Sequence, residues 1–210
     1  MAQINIALKG VEKITKQLEK DAKRAEMVLT ATSNDLRNRI PGMVADEVRK
    51  RYNVKKQEVM PAKKDKNGNW KKTIGSVSAQ GKQVTNVGIV YKGRLLTPIH
   101  FAMEPRRLPR SKKIRQNKRW KKVRPSYEVT AAITTGGRKV LHSDAFLGRN
   151  KGGGYIPFRR TGKSAYPIES IKTTSLPQMI ESPSVKENID KKVRALIEGR
   201  LQHHITRLMK

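Results

Sequence analysis

The sequence contains no cysteine and few aromatic or acidic side chains. Of its 210 residues, 5% are aromatic and 17 are Asp or Glu, against 47 Lys or Arg. Without cysteine the chain forms no disulfide and presents no thiolate to a metal ion or a substrate. No window approaches the ~18 consecutive apolar residues of a membrane span, and the start, MAQINIALKG, lacks the apolar core of a secretion signal. We therefore expect a protein that is made and used without secretion and has no membrane partner.

The excess of basic residues predicts a strongly anionic partner. The formal net charge is +30, and a surplus of this size repels itself unless a polyanion or an acidic protein surface offsets it. Nucleic acid is the first candidate and an acidic protein ring is the second. A membrane surface fits less well, because no amphipathic helix combines a basic face with Trp or Phe anchors.

The N-terminal quarter has the pattern of a short strand followed by long helices. Apolar residues alternate in QINIAL, residues 3–8, which predicts a strand. They then recur every three or four positions over residues 11–40, which predicts an amphipathic helix. Pro41 removes a backbone donor and clashes with the preceding turn, so we expect a kink or break there before the helix resumes. The helical region is expected to span residues 11–60.

Residues 70–174 have the composition of a small antiparallel sheet. Short runs rich in Val, Ile, Thr and aromatic residues alternate with turns that contain Gly or Pro. The predicted strands are TIGSVSA (73–79), VTNVGIVY (84–91), GRLLTPIHF (93–101, a third strand or an extension of the second), YEVTAAITT (127–135), RKVLHSDAFLGR (138–149) and YIPFRR (155–160). A basic segment within residues 104–124 is expected to be an insertion between two of these strands.

The last quarter predicts one long helix. Ser182 and Pro183 fit an N-cap and a first-turn proline. The apolar residues that follow step by four and finally by three: Val185, Ile189, Val193, Ile197, Leu201, Ile205 and Leu208. We expect a helix over residues 183–209. For the whole chain we expect a single α+β domain over residues 1–210, with an N-terminal strand and long helices, a central small antiparallel β-sheet with a basic insertion, and a long C-terminal helix.

Two short motifs that resemble functional sites lack the spacing that those sites need. GKS at residues 162–164 resembles the end of a P-loop, but residue 157, where that loop needs glycine, is proline and has no amide to offer a phosphate. His203 and His204 are adjacent, so on a helix they diverge by about 100° and do not form the i, i+3 or i, i+4 pair of a helical metal site. We expect partly exposed helix residues here.

The acidic residues do not suggest a catalytic centre. Asp46 and Glu47 are adjacent on a predicted helix and point apart, so we interpret them as solvated partners of Arg49 and Lys50. No G-x-S-x-G motif is present. We therefore expect no enzyme activity, no cofactor and no metal ion.

The densest charge lies in RRLPRSKKIRQNKRWKKVR, residues 106–124, which has eleven Lys or Arg and no acid. No zinc finger, RNP-like aromatic run or helix-turn-helix accompanies it, so any nucleic-acid contact is expected to be with the backbone and indifferent to base sequence. Trp120 could stack on a base, but one aromatic residue is not a stacking platform. The alternative is a solvated loop without a specific partner. The candidate contact residues for nucleic acid or an acidic partner are Arg106, Arg107, Arg110, Lys112, Lys113, Arg115, Lys118, Arg119, Trp120, Lys121, Lys122 and Arg124.

An ordered set of short motifs runs from residue 95 to the C-terminus. Its members are LLTPIHF (95–101), YEVTAAITTGGRKVLHSDAF (127–146), FRRTG (158–162), YPI (166–168) and SLPQM (175–179), followed by two Arg-Leu pairs in the last predicted helix. VRKRYNVKKQEV (48–59) precedes them. In this order the motifs resemble the phage minor tail protein Z family, also called tail completion proteins. The segment 104–124 resembles an enlarged form of a variable loop in that family.

The resemblance implies a structural protein of the virion at the head-proximal end of a phage tail, in the neck. It implies a ring subunit, with a hexamer as the expected ring, that helps to join head and tail and contacts or positions DNA. The implied partners are further copies of this chain, tail terminator, tail tube or connector proteins, and double-stranded DNA. The implied location is the virion, after assembly in the host cytoplasm. Composition alone leaves open an alternative, a free nucleic-acid-binding protein without sequence specificity.

Overall fold

The computed structural model describes residues 2–7, 22–64, 66–71, 73–80, 86–116 and 119–208. Their fold is α+β, as predicted. The helices are α1 (Ala22–Arg51), α2 (Lys56–Val59), α3 (Leu176–Glu181) and α4 (Pro183–Leu208). The strands are β1 (Ala2–Ala7), β2 (Ser76–Gln80), β3 (Asn86–Lys92), β4 (Lys112–Gln116), β5 (Arg119–Val123), β6 (Thr130–Ala131), β7 (Lys139–Val140), β8 (Phe146–Arg149), β9 (Tyr155–Arg160) and β10 (Ile168–Ser170).

The strands form four small antiparallel sheets where the sequence suggested one. Their orders are β1-β3-β2, β10-β9-β8, β4-β5 and β6-β7. The chain divides into two compact units. Unit 1 comprises the described residues of Met1–Lys50, Lys55–Arg94 and Ser175–Lys210, and unit 2 comprises those of Arg51–Val54 and Leu95–Thr174. That the whole chain folds as one domain stays a prediction.

The long helix of unit 1 continues through its proline. Pro41 lies inside α1, so the helix does not break there, and the kink, the other form of the prediction, stays a prediction. Proline removes one helical hydrogen bond, at a cost of about 3 kcal/mol in a helix interior. Buried side chains on both sides of it hold the helix in one piece, since tertiary packing overrides local propensity. The apolar ones with no exposed surface are Val28, Leu36, Ile40, Val44, Ala45 and Val48.

The N-terminal helical region ends earlier than predicted, and its beginning lies outside the described residues. The pattern over residues 11–21 falls in the part of the chain that the structure does not describe. At the other end, α1 stops at Arg51 and Tyr52 forms an isolated antiparallel bridge with Thr134. The Asn53 N–H donates to the Ile133 carbonyl at 3.0 Å. These bonds replace helical ones, so only the single turn of α2 follows before residue 60.

In unit 1, strand β3 lies between β1 and β2 and helix α3 contacts β1 and β3. Ser175 begins α3 with a capping box: its Oγ accepts from the Gln178 N–H at 3.4 Å, and its own N–H donates to Gln178 Oε1 at 2.9 Å. Leu176 and Met179 are fully buried. The SLPQM motif is therefore a helix start whose apolar side chains enter the core.

Helix α4 spans almost the whole range predicted for it, 183–209. Pro183 is its first residue, as expected. The predicted cap is wrong in detail: the Ser182 carbonyl accepts from the N–H groups of Val185 and Lys186, whereas its buried Oγ has no hydrogen-bond partner. The buried positions of α4 are Val185, Ile189, Val193, Leu201 and His204.

Unit 2 has its own small core of Met103, Val129, Ala131 and Leu147. Three predicted strands are shorter, divided or absent here, and the one over residues 138–149 divides into β7 and β8. Residues 93–97 form no strand and Pro98–His100 form a 3₁₀ turn, because isolated bonds, such as Thr173 N–H to the Leu96 carbonyl at 2.7 Å, satisfy this backbone. The strand predicted over residues 127–135 reduces to β6.

Candidate nucleic-acid interface

The basic segment lies in unit 2 between Glu104 and Thr130, which pair with each other. Glu104 and Thr130 form an antiparallel bridge in which each N–H donates to the other carbonyl at 2.8 Å. Arg138 reinforces the Glu104 side, since its guanidinium lies 3.0 Å from the Glu104 carboxylate and donates to the Ala102 carbonyl at 3.1 Å. The two ends of this stretch are therefore held together at one fixed point.

On both sides of strands β4 and β5, the chain is anchored in the core of unit 2. Leu108 on one side and Tyr127 on the other pack against the buried cluster around Met103. The Tyr127 hydroxyl also accepts a hydrogen bond from the Leu147 N–H at 3.1 Å. Among the described residues between these anchors, β4 and β5 pair as an antiparallel hairpin, which we call the basic hairpin (residues 112–116 and 119–123).

The sequence did not predict the basic hairpin as strands, although a signal was present. Ile114, Trp120 and Val123 are β-branched or aromatic residues, the types that are enriched in strands. The predominance of Lys and Arg hid that signal, because Lys is depleted in strands and both residues normally indicate a solvent-exposed surface. Backbone pairing, rather than a hydrophobic face, defines this element.

The register of the hairpin separates its side chains into two faces. The cross-strand pairs Lys113↔Lys122 and Arg115↔Trp120 alternate with Lys112↔Val123, Ile114↔Lys121 and Gln116↔Arg119. Opposite residues in an antiparallel pair point to the same side, and the sides alternate along each strand. We call the side with Lys113, Arg115, Trp120 and Lys122 the tryptophan face. The other, the aliphatic face, has Lys112, Ile114, Arg119, Lys121 and Val123.

All the described candidate contact residues are exposed. The structure brings Lys112, Lys113, Arg115, Arg119, Trp120, Lys121 and Lys122 together on the hairpin, while Arg106, Arg107, Arg110 and Arg124 lie in its flanks. Lys118 lies outside the described residues. The side chain of Trp120 is 70% exposed, against 44% for Ile114.

The charges of the hairpin are not neutralised within the described part of the chain. Other cations pair with carboxylates: Lys56 with Asp46 at 2.7 Å, and Arg138 with Glu104 at 3.0 Å. None of the described Lys or Arg residues in segment 106–124 makes such a pair with a described acid. The hairpin therefore presents its positive potential to whatever approaches it.

One acid predicted to be solvated is in fact buried. Glu47 is 2% exposed and pairs with Lys50 at 2.8 Å and with Lys192 of α4. Burial alone would raise the pKa of Glu47, but the hydrogen bonds and charges of Lys192 and Lys50 outweigh it, so this pKa lies below its ordinary value. Asp46 pairs with Lys56 instead. The interpretation of Asp46 and Glu47 as solvated partners of Arg49 and Lys50 was thus wrong for Glu47, apart from its contact with Lys50.

A second polar contact between α1 and α4 was also missed. His204 is 5% exposed, and its Nε2 lies 3.2 Å from Oδ2 of Asp35. Arg200 approaches the same carboxylate at 3.6 Å. The prediction of a partly exposed histidine pair holds for His203, which is exposed. His204 instead lies on the buried side of α4, three residues after the buried Leu201 and seven after the half-buried Ile197, a helical spacing that the sequence prediction did not apply to it.

Other parts of the described chain offer no comparable site. The GKS residues 162–164 are exposed in the connection between β9 and β10. An open groove in unit 2 is lined by His142, Arg159 and Lys172, but Arg159 is already paired with Glu169 at 3.5 Å. The described residues contain no cluster of three or more His, Asp or Glu suited to a metal ion.

A scan against protein-family models and searches of curated proteins and solved structures found no match. Within the described ranges, no helix has the length and apolar character needed to cross a membrane.

Proposed function

We propose that this chain is a structural, non-enzymatic subunit of a phage tail at its head-proximal end. In this proposal it forms a ring in the neck, helps to join head and tail, and contacts double-stranded DNA through the basic hairpin. The ring would consist of six copies and would pack against tail terminator, tail tube or connector proteins. The proposed location is the virion, after assembly in the host cytoplasm.

The observation that supports this proposal most is the exposed charge of the basic hairpin, which pairs with no described acid, on an anchored base. A closed ring repeats this charge around a central axis, so the field of each subunit adds to that of its neighbours. A two-stranded ribbon also has the width that the ~12 Å major groove of B-DNA admits. The ordered resemblance to tail completion proteins is the basis for proposing a location in the tail and assembly as a ring.

A second function, free binding of nucleic acid without sequence specificity, is favoured by the same hairpin. The two proposals differ in the role of the apolar surface of the helices. A ring subunit uses part of it against neighbouring copies, whereas a free binder needs no such contact. They share the expectation that affinity comes from the phosphate backbone.

A salt series of DNA binding tests the role of the hairpin. The test variant replaces its six ladder cations with glutamine: Lys112, Lys113, Arg115, Arg119, Lys121 and Lys122. If each neutralises one phosphate, the slope of log affinity against log salt for duplex DNA should become shallower by about 5. A matched variant replaces six exposed cations of unit 1, namely Lys23, Arg49, Lys63, Lys186, Arg194 and Arg207, and should keep most of the slope. An unchanged slope in the hairpin variant would refute the DNA contact.

A further inference from the structure

The tryptophan face of the basic hairpin combines an exposed aromatic ring with three cations. Trp120 is opposite Arg115 in the ladder, diagonal to Lys113, and two residues from Lys122 on its own strand. Cross-strand neighbours have Cβ atoms about 4.5–5.5 Å apart, and diagonal ones about 7–8 Å. All three cations therefore lie within side-chain reach of a group placed on the indole ring.

The other tryptophan of the chain, Trp70, has a cation over its ring and serves as a comparison. Trp70 is also exposed, but Lys64 Nζ lies over its ring, 5.3 Å from the centroid. No described cation lies over the ring of Trp120, and no described ring stacks on it. As far as the described residues go, the Trp120 indole thus presents an aromatic face without a partner in the most basic part of the protein.

We propose that the tryptophan face binds single-stranded nucleic acid, with one unpaired base stacked on Trp120 and adjacent phosphates on Lys113, Arg115 and Lys122. This inference rests on the nucleic-acid contact of the proposed function and adds a strand preference to it. The cations attract duplex and single strand alike. The indole distinguishes them, because a base in a duplex is already stacked on its neighbours, whereas an unpaired base has a free π-face.

Nucleic acid fits this face better than an acidic protein surface does. Carboxylates would satisfy the three cations, but they have no ring to place on the indole. The aliphatic face has the same number of ladder cations, two Lys and one Arg, without an aromatic residue. The two faces of one hairpin therefore form an internal comparison at equal charge.

The first test measures Trp120→Ala in the full-length chain, with an oligothymidylate of about 20 nucleotides, longer than the ~4–16 nucleotides that comparable single-strand modules cover. We expect the affinity for this probe to fall about 5- to 150-fold, the loss of one base–aromatic stack. Affinity for a duplex of equal length should change less than about 2-fold, and Trp120→Phe should restore part of the loss. Trp70→Ala is the matched control and should leave both affinities unchanged.

The second test compares the two faces. Glutamine at Lys113, Arg115 and Lys122 should make the single-strand salt slope shallower by about 2, and glutamine at Lys112, Arg119 and Lys121 by less than half as much. Circular dichroism confirms that each variant keeps its fold. In a Trp70→Phe background Trp120 is the sole tryptophan, so quenching of its fluorescence by the oligothymidylate reports stacking directly.

Three results would overturn the inference. They are an unchanged single-strand affinity in Trp120→Ala, equal losses from the two triple variants, or the same Trp120 dependence with polyglutamate, which would indicate an acidic protein partner. The first two can occur while the six-cation variant still loses its duplex salt slope. In that case the strand preference fails and the DNA contact of the proposed function stands.

Discussion

At the scale of single residues, Glu47 shows how a buried charge joins distant parts of the chain. Its carboxylate is almost fully buried, whereas the side chains of Lys50 and Lys192 keep about half or more of their surface in water. The lysines therefore lose little hydration, while the carboxylate depends on them for its hydrogen bonds. This asymmetry makes the acid the sensitive member of the cluster.

Replacement of Glu47 with glutamine should destabilise the protein in a pH-dependent way. We expect a loss of about 1–2 kcal/mol at pH 7, because an amide makes weaker hydrogen bonds to lysine than a carboxylate does. The pKa of Glu47 is lowered in the folded state relative to 4.5. Its contribution is therefore fully present above 4.5 and is lost as the pH falls through the folded-state pKa. Urea unfolding from pH 7 to acid should show the wild type converging on Glu47→Gln.

The control for this pH series is Glu198→Gln, which removes an exposed acid from α4. It should follow the wild type at every pH within about 0.5 kcal/mol. A constant difference between wild type and Glu47→Gln down to strongly acidic pH would show that the Glu47 charge does not stabilise the fold.

The neighbouring lysines Lys191 and Lys192 allow a sharper comparison on one helix. Lys192 pairs with buried Glu47, whereas Lys191 pairs with exposed Glu187 of the same helix at 2.7 Å. Lys192→Met should lower the midpoint of urea unfolding, and Lys191→Met should leave it nearly unchanged, because an exposed ion pair contributes little. Equal effects would argue against the Glu47 contact.

The sequence indicates that Glu47 is buried, but it does not indicate which residue pairs with it. Glu47 falls between Val44 and Val48, both inward-facing, so its position on the buried side of α1 follows from helical periodicity. Its partner Lys192 lies 145 residues away. One sequence gives no measure of such a distant contact, and we therefore predicted solvent as the partner.

At the scale of elements, the start of α3 depends on its capping box. Ser175→Ala removes the side-chain acceptor for the Gln178 N–H and should cost about 0.5–2 kcal/mol of stability. Ser182→Ala is the matched control, since the Ser182 Oγ is buried without a hydrogen-bond partner, and it should be neutral or slightly stabilising. Both are measured by urea unfolding, and a larger loss at Ser182 would contradict the assignment.

Gly75, the residue before β2, should not tolerate replacement by a residue with a side chain. A Cβ there would lie 2.5 Å from the Lys92 carbonyl oxygen, a backbone atom that cannot rotate away. Gly75→Ala should therefore destabilise by about 1–3 kcal/mol. Gly199→Ala on the exposed side of α4 meets nothing within 4 Å and should stabilise by roughly 0.5–1 kcal/mol. Thermal unfolding should give shifts of opposite sign; the same sign would refute the packing described here.

An element could be predicted from the sequence where its apolar residues recur with the regular period of a helix or a strand. Helix α4 and strand β3 have regular apolar spacing, and both were predicted nearly to their ends. The run 93–101 is equally apolar, but its backbone groups bond to scattered partners such as Thr173, so it is no strand. The prediction at Pro41 took account of the hydrogen bond that proline removes, but not of the side-chain packing that compensates for its loss.

At the scale of the whole molecule, charge and fold class were predictable and the arrangement of the charge was not. The net charge of +30 is read directly from the sequence, and the anionic partner that it predicts stays a prediction. Composition did not reveal that six of the cations stand on a paired ribbon, three on each face. That arrangement depends on the register of β4 and β5, which the surrounding basic residues concealed.

The ring in the phage neck is the central proposal, and the solution mass of the protein tests it most directly. Light scattering on the purified chain in high salt, which suppresses charge-driven association, should give a discrete species near 143 kDa, six times the chain mass of 23.8 kDa. Negative-stain images of the same sample should show closed rings. A 23.8 kDa monomer that stays monomeric when duplex DNA is added would contradict the ring and favour the free nucleic-acid-binding protein.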